Sequence, residues 1–221
     1  MRNFVLELGI TILVLGIGIL AIFIIKNGPM NLTGMVVSHV NVSQAYMSDC
    51  SVTIPAGKDL VSFFCLPRTI SRDNITSQLS SLDRMFTYDS SDTSDHWKAY
   101  KPGLPSWTVS DIETMGREQA YWIFLGTAEY YEFHGFLASG QNIALTQGWN
   151  LVGTATNSTT YLDDFFASID GSYNLVISFN NTNKAVLYYY PLGNGVNTFN
   201  TSQPYVGYWI NMSVASVWSP P

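Results

Sequence analysis

Carboxylates spaced three apart, with hydroxyls between them, form the sharpest chemical feature of the chain: Tyr88-Asp89-Ser90-Ser91-Asp92-Thr93-Ser94-Asp95. Asp89, Asp92 and Asp95 could offer the hard oxygen ligands that Ca2+ prefers. The run lacks the D-x-D-x-D-G pattern and the distal bidentate Glu of a calcium loop, so a solvated inter-strand loop competes with a calcium clip. His39, His96 and His134 are the only histidines and show neither H-x-x-x-H nor H-x-H spacing. They announce no zinc set and no catalytic triad. No G-x-S-x-G elbow or nucleotide-binding glycine loop occurs, and Gly193-Asn194-Gly195 reads as a turn that takes positive φ. The expectation is a protein that is not an enzyme and needs no cofactor, with structural Ca2+ as the one candidate.

Binding chemistry is better represented. Aromatic residues make up 14% of the 221 residues, and charged residues only 12%, about half the usual charged share. Tyr130, Tyr131 and Phe133 cluster in one stretch, and Tyr188, Tyr189 and Tyr190 in another. Exposed Trp and Tyr faces stack against sugar rings, and Trp149 and Tyr189 are the candidates for a ligand face. Strand alternation sends at least half of such residues into a core instead. With 10 Lys+Arg against 16 Asp+Glu, the net charge is −6 and no basic run occurs. A phosphate backbone would be repelled, which excludes nucleic acid as a partner.

The first residues point to a membrane. Phe4 to Ile25 carries a single charge, Glu7, and as a helix it rises about 33 Å, enough to cross a bilayer core. The run is longer than the apolar part of a cleavable signal peptide, and Lys26-Asn27-Gly28-Pro29 ends it without an obvious cleavage site. The reading is an uncleaved single-pass anchor with its N-terminus inside. Sequons at Asn31, Asn41, Asn74, Asn157, Asn180, Asn200 and Asn211 suggest an exported, glycosylated surface. Cys50 and Cys65 flank SVTIPAGKDLVSFF, read as two strands around a Pro-Ala-Gly turn. A disulfide there closes a loop of about 15 residues, worth about 3 kcal/mol, against the alternative of two buried thiols.

Stepping along the chain exposes a repeat. Ile54–Ser62 matches Leu145–Gly153 as apolar-x-x-Gly-x-x-Leu-Val-small, and Ser81-Leu82-Asp83 matches Ser168-Ile169-Asp170. Tyr100-Lys101-Pro102 matches Tyr189-Tyr190-Pro191, and Ala120-Tyr121-Trp122-Ile123 matches Gly207-Tyr208-Trp209-Ile210. The offsets are 91 (54 to 145), 87 (82 to 169), 89 (100 to 189) and 87 (120 to 207), in order throughout. Each copy reads as a strand (Leu60–Leu66; Asn150–Thr156), a short helix (through Leu79 and Leu82; through Leu162, Phe165, Phe166 and Ile169), then two strands (Met85–Tyr88 and Trp97–Tyr100; Leu175–Phe179 and Ala185–Tyr190). The Tyr-Trp-Ile strand follows. Glu129–Phe133 adds a strand to the first copy, and Ile143–Leu145 opens the second.

Gly148-Trp149-Asn150-Leu151-Val152-Gly153 and Gly207-Tyr208-Trp209-Ile210 resemble a repeat of archaeal and bacterial exported proteins, in which GWNLVS/G and GYWI strands bracket each unit. The resemblance covers about residues 52–215. The first copy departs from it, with Lys58-Asp59 for Trp-Asn and Ala120 for the Gly before Tyr-Trp. It implies a surface-exposed structural or adhesive module with no catalytic residues to carry over. Phe4 and Glu7 are also loosely similar to the helix of type IV pilin-like subunits, which makes Glu7 a candidate assembly residue. That Glu falls one place early, and no Lys/Arg-Gly site precedes Phe4.

The expected architecture is an N-terminal transmembrane helix plus a mainly-β, β-rich α+β ectodomain built from two tandem repeats with short helices. Residues 1–26 form the anchor, 27–51 a stalk or lead-in strand, 52–142 the first repeat and 143–221 the second. The expected function is a membrane-anchored extracellular structural or adhesive protein. The alternatives are a pilin-like filament subunit and a carbohydrate-binding receptor. Expected partners are the lipid bilayer, other copies or surface proteins, and glycans.

Overall fold

The structure is a computed structural model that describes residues 12–14, 19–21, 46–105, 108, 110–137, 141–154 and 156–221. The chain divides into a segment Met1–Asn41 and a compact unit Val42–Pro221. Within the expected membrane helix, only β1 (Ile12–Val14) and β2 (Ile19–Ala21) are described, as a short antiparallel pair. That expectation, with Glu7, His39, Asn31 and Asn41, otherwise lies outside the described residues. No helix among the described residues is long and apolar enough to cross a membrane.

The compact unit is mainly antiparallel β with very short helices. Its first half contains β3 (Tyr46–Ile54), β4 (Gly57–Ser62), β5 (Ile70–Ser71), α1 (Asp73–Thr76), β6 (Leu82–Tyr88), β7 (Trp97–Tyr100), β8 (Thr114–Met115), β9 (Ala120–Leu125) and β10 (Glu129–Leu137). The second half contains β11 (Ile143–Leu145), β12 (Gly148–Val152), α2 (Leu162–Phe165), a 3-10 turn (Ala167–Ile169), β13 (Tyr173–Asn180), β14 (Ala185–Tyr189), β15 (Tyr208–Met212) and β16 (Ser216–Trp218). One four-stranded sheet has the order β4-β9-β6-β7, and the other β12-β15-β13-β14. Each places the half's opening sheet strand beside its Tyr-Trp-Ile strand, with a hairpin completing the sheet. A two-stranded ribbon accompanies each sheet, β3 with β10 and β11 with β16.

The correspondence extends to single hydrogen bonds. Gly126 N–H donates to Ser81 O at 2.9 Å, and Ser213 N–H to Ser172 O at 2.9 Å. Gly116 N–H donates to the Tyr121 hydroxyl at 2.9 Å, and Gln203 N–H to that of Tyr208 at 2.8 Å. The third strand aligns differently from the sequence match. Leu82 pairs opposite Leu125 before a bulge, and Tyr173 pairs opposite Met212 before another. Leu82 therefore corresponds to Tyr173, not to Ile169.

Alternation gives the Tyr-Trp-Ile strands β9 and β15 apolar residues on both faces. On β9, Tyr121, Ile123 and Leu125 point into the first half's core with Val61, Met85 and Ile75. On β15, Tyr208, Ile210 and Met212 point into the second core with Phe165, Phe166 and Trp218. The opposite faces carry Ala120, Trp122 and Phe124 on β9 and Trp209 on β15. Such strands read as continuous apolar runs because both faces are covered.

Two local expectations are corrected. The Pro-Ala-Gly turn does not close a hairpin, because β3 pairs with β10 and β4 pairs with β9. It is a corner between sheets, where Pro55 has no N–H for a ladder and Gly57 takes a φ of +96°. The Cys50–Cys65 disulfide is present, with Cα atoms 6.0 Å apart. It ties the β3–β10 ribbon to the chain just past β4, and both cysteines are buried beside Phe64. The first helix is also displaced: α1 is a single turn over Asp73–Thr76, Leu79 follows it, and Leu82 starts β6. Leu162, Phe165 and Ile169 do lie on helical turns.

Candidate functional site

The outward faces of the two sheets meet through Leu60, Ala120, Leu151 and Phe179. Contacts there run both ways, as across an approximate twofold axis. Ser62 N–H donates to Tyr205 O at 2.9 Å, and in return Gly153 N–H donates to Glu118 O at 3.0 Å. Inside each sheet a buried hydroxyl ties the hairpin to the Tyr-Trp-Ile strand. Thr87 Oγ1 donates to Ala120 O at 2.7 Å, and Ser178 Oγ to Gly207 O at 3.0 Å.

Away from this contact the faces diverge and leave a groove of about 460 Å³. Its walls are Lys58, Leu60, Tyr88, Trp97, Trp122, Trp149, Ile177, Ser178, Phe179, Val186 and Trp209. A mostly apolar groove of this size suits a small ligand or a short stretch of a larger one. Trp209 is the hub: its ring centroid lies 5.0 Å from Tyr88, 5.6 Å from Trp97 and 6.2 Å from Trp149. The rings cross at 57°, 55° and 84°, the tilted and edge-on arrangements that aromatic quadrupoles favour. Trp97 and Trp149 remain 49% and 37% exposed, so their outer faces are open to a ligand.

On the other side of the axis, Trp122 stands in the place of Trp209 and Phe179 in the place of Tyr88, with centroids 5.2 Å apart. The position matching Trp149 is Lys58, whose Nζ lies 4.9 Å from the Trp122 ring and 5.0 Å from the Phe179 ring. The two walls thus differ at two places: Lys58 answers Trp149, a cation for an aromatic, and Val186, opposite Phe179, answers Trp97, opposite Tyr88.

Next to the groove, the two halves differ again. Asn150 is buried and fully engaged: its Oδ1 accepts from Thr146 N–H at 2.9 Å and Ser90 Oγ at 2.8 Å, and its Nδ2 donates to Thr146 O and Gly148 O. Asp59 takes this place in the first half with no exposed surface. Pro55, which stands where Thr146 donates, has no N–H. Asp59 Oδ1 instead accepts from Lys184 Nζ at 2.6 Å, and Oδ2 has no hydrogen-bond partner among the described residues. Burial raises the Asp59 pKa above the usual carboxylate value, and Lys184 partly offsets the rise.

The other residues singled out from the sequence do not converge on the groove. Tyr189 is 5% exposed and belongs to the second core. Its hydroxyl donates to Asp163, and burial with that carboxylate pushes its pKa up to about 12. Parity explains the placement, since Tyr189 pairs opposite the core residue Val176. Asp89 Oδ1 accepts from Ser91, and Asp92 Oδ1 from Ser94 and Asp95 N–H, as local turn bonds. Asp92 Oδ2 accepts from Lys98 Nζ at 2.7 Å, the main cause that holds its carboxyl well below the ordinary range. No group of three potential metal ligands converges among the described residues. His96 stacks on Tyr88, and its Nδ1 lies 3.0 Å from the Asp89 carbonyl oxygen. Among the described sequons, Asn74, Asn157 and Asn200 are exposed, and Asn180 and Asn211 half-buried.

Sequence reasoning missed Tyr88, Trp97, Trp122 and Trp209 as groove residues. The available signal was parity for two of them, because Trp122 alternates with the core residues Tyr121 and Ile123, and Trp209 with Tyr208 and Ile210. Comparison with family models, curated proteins and solved structures finds no match for this chain.

Proposed function

We propose that this chain is a membrane-anchored, non-catalytic surface protein that adheres to saccharides through the aromatic groove. The observation that carries the reading is Trp149, 37% exposed and edge-on to Trp209 at 6.2 Å. A carbohydrate-binding module needs such an open aromatic beside another, because pyranose C–H faces stack on ring faces. The ectodomain is built from two copies of one unit, a view supported by the recurring sheet order and hydrogen bonds. The groove then belongs to the pair, since both copies supply its walls.

The apolar run Phe4–Ile25 is the anchor, with the rest of the chain outside the cell. The disulfide supports an oxidising compartment, and exposed sequons at Asn74, Asn157 and Asn200 support a glycosylated outer surface.

The test is titration of the full-length chain, in mild detergent, with neutral and acidic oligosaccharides, followed by tryptophan fluorescence. A saturating change is expected, and Trp149→Ala weakens binding by about tenfold or more, as loss of an anchoring aromatic does. Binding that is indifferent to Trp149→Ala, or no response to any saccharide, overturns the reading.

A further inference from the structure

Charge in the groove narrows the ligand. Among the described lysines, Lys98 pairs with Asp92 at 2.7 Å, Lys101 with Asp83 at 3.4 Å and Lys184 with Asp59 at 2.6 Å. Lys58 alone pairs with no carboxylate among the described residues, although acidic groups outnumber basic ones 16 to 10. It is also the one charged side chain lining the groove. Its ammonium lies over Trp122 and Phe179, so the cation is placed by the aromatic wall that would carry a sugar ring.

The twofold relation sharpens the point. Trp122 and Trp209, and Phe179 and Tyr88, keep aromatic character at corresponding places, while Lys58 answers Trp149. Lys58 lies in an exposed position, so steric crowding does not dictate the replacement. The result is a groove with stacking surfaces on both walls and one unneutralised positive charge on one of them.

We propose that the groove selects an acidic saccharide: a pyranose ring stacks on Trp149 and Trp97 while a ring carboxylate pairs with the Lys58 ammonium. This rests on the saccharide reading above and adds the charge of the ligand. A charge-assisted hydrogen bond at the edge of an apolar groove is stronger than an open surface pair, because aromatic walls exclude part of the competing water. It also weakens with added salt, as stacking alone does not.

The test compares trigalacturonic acid with its methyl ester, a neutral probe of the same size and shape, against the full-length chain in mild detergent. The acid is expected to bind about tenfold more tightly at low salt, with the preference shrinking as NaCl is raised. Lys58→Gln reduces that acid-to-ester preference to about twofold or less. If acid and ester bind equally, or the preference survives Lys58→Gln, the acidic assignment is wrong while the saccharide groove stands. If neither probe binds and no neutral saccharide does, the groove reading falls with it. Circular dichroism of the Lys58→Gln chain separates a lost contact from a lost fold.

Discussion

Ala120 and Gly207 face each other where the two sheets meet, and this contact makes a double-mutant test of the twofold relation. Ala120 is fully buried, and its methyl group points at the Gly207 backbone. A Cβ added to Gly207 would lie closer than 3.0 Å to the Ala120 Cβ, and 3.0 and 3.1 Å from Leu60 Cγ and Cδ1. Both Leu60 and Ala120 belong to the small cluster joining the sheets, so neither can yield without moving a strand. Gly207→Ala should therefore destabilise by about 2 kcal/mol, the middle of the range for overpacked cores. Ala120→Gly removes one buried methyl and adds backbone freedom in a strand, for a loss of about 1.5 kcal/mol.

The double variant Ala120→Gly/Gly207→Ala moves the methyl across the axis and removes the closest clash, that with the Ala120 Cβ, leaving the tight contacts with Leu60 at 3.0 and 3.1 Å. Its stability should lie within about 1 kcal/mol of the parent, which leaves a coupling energy of at least about 2.5 kcal/mol, well above the error of additivity between distant sites. Urea denaturation of the full-length chain in detergent, followed by tryptophan fluorescence, reads this out as a recovered midpoint with unchanged slope. Additive losses in the double variant would refute the geometry, because they would mean that the two positions do not share one space.

The pair between buried Asp59 and exposed Lys184 gives a pH-dependent prediction. Lys184→Ala leaves an unpaired buried carboxylate and costs about 2 kcal/mol at neutral pH, less than for a fully buried pair because the Lys184 side chain is 36% exposed. Because burial raises the Asp59 pKa in the folded chain, the loss shrinks as pH falls through that raised value and the acid becomes neutral; a loss independent of pH in denaturation midpoints would refute this. Asp59→Asn, which restores the residue found at position 150, should stay within about 1 kcal/mol of the parent at neutral pH and remove that pH dependence. Reduction of Cys50–Cys65 frees a 15-residue separation and should cost about 3 kcal/mol, seen as a melting temperature lower by about 6–12 °C; an unchanged temperature with free thiols would refute the assignment of the disulfide as a staple.

Local pattern made part of this fold legible. Trp97–Tyr100 and Ile143–Leu145 are strands with those bounds, because apolar alternation between polar turns is a short-range signal. The β3–β4 corner was not legible. Pro55-Ala56-Gly57 is compatible with a hairpin, and only long-range pairing with β10 and β9 decides otherwise. The groove was half legible. Trp149 could be singled out as a candidate for exposure, but Tyr189 could not be excluded. Its inward direction follows from a register opposite Val176, and a slip of one residue would have turned it outward.

The differences between the first half and the second gain physical meaning once the sheets are placed face to face. A residue at the axis meets its own counterpart, so the two halves cannot both carry a side chain there. Ala120 against Gly207 is that case, and crowding alone accounts for it. Asp59 for Asn150 has a different cause: Pro55 removes the donor that Thr146 supplies, and Lys184 supplies another. Lys58 for Trp149 has neither. The side chain is exposed, has no acidic partner among the described residues, and rests on two rings in the groove. Of the three departures, this is the one that the interior does not require, and so the one whose chemistry is directed outward, at whatever the groove holds.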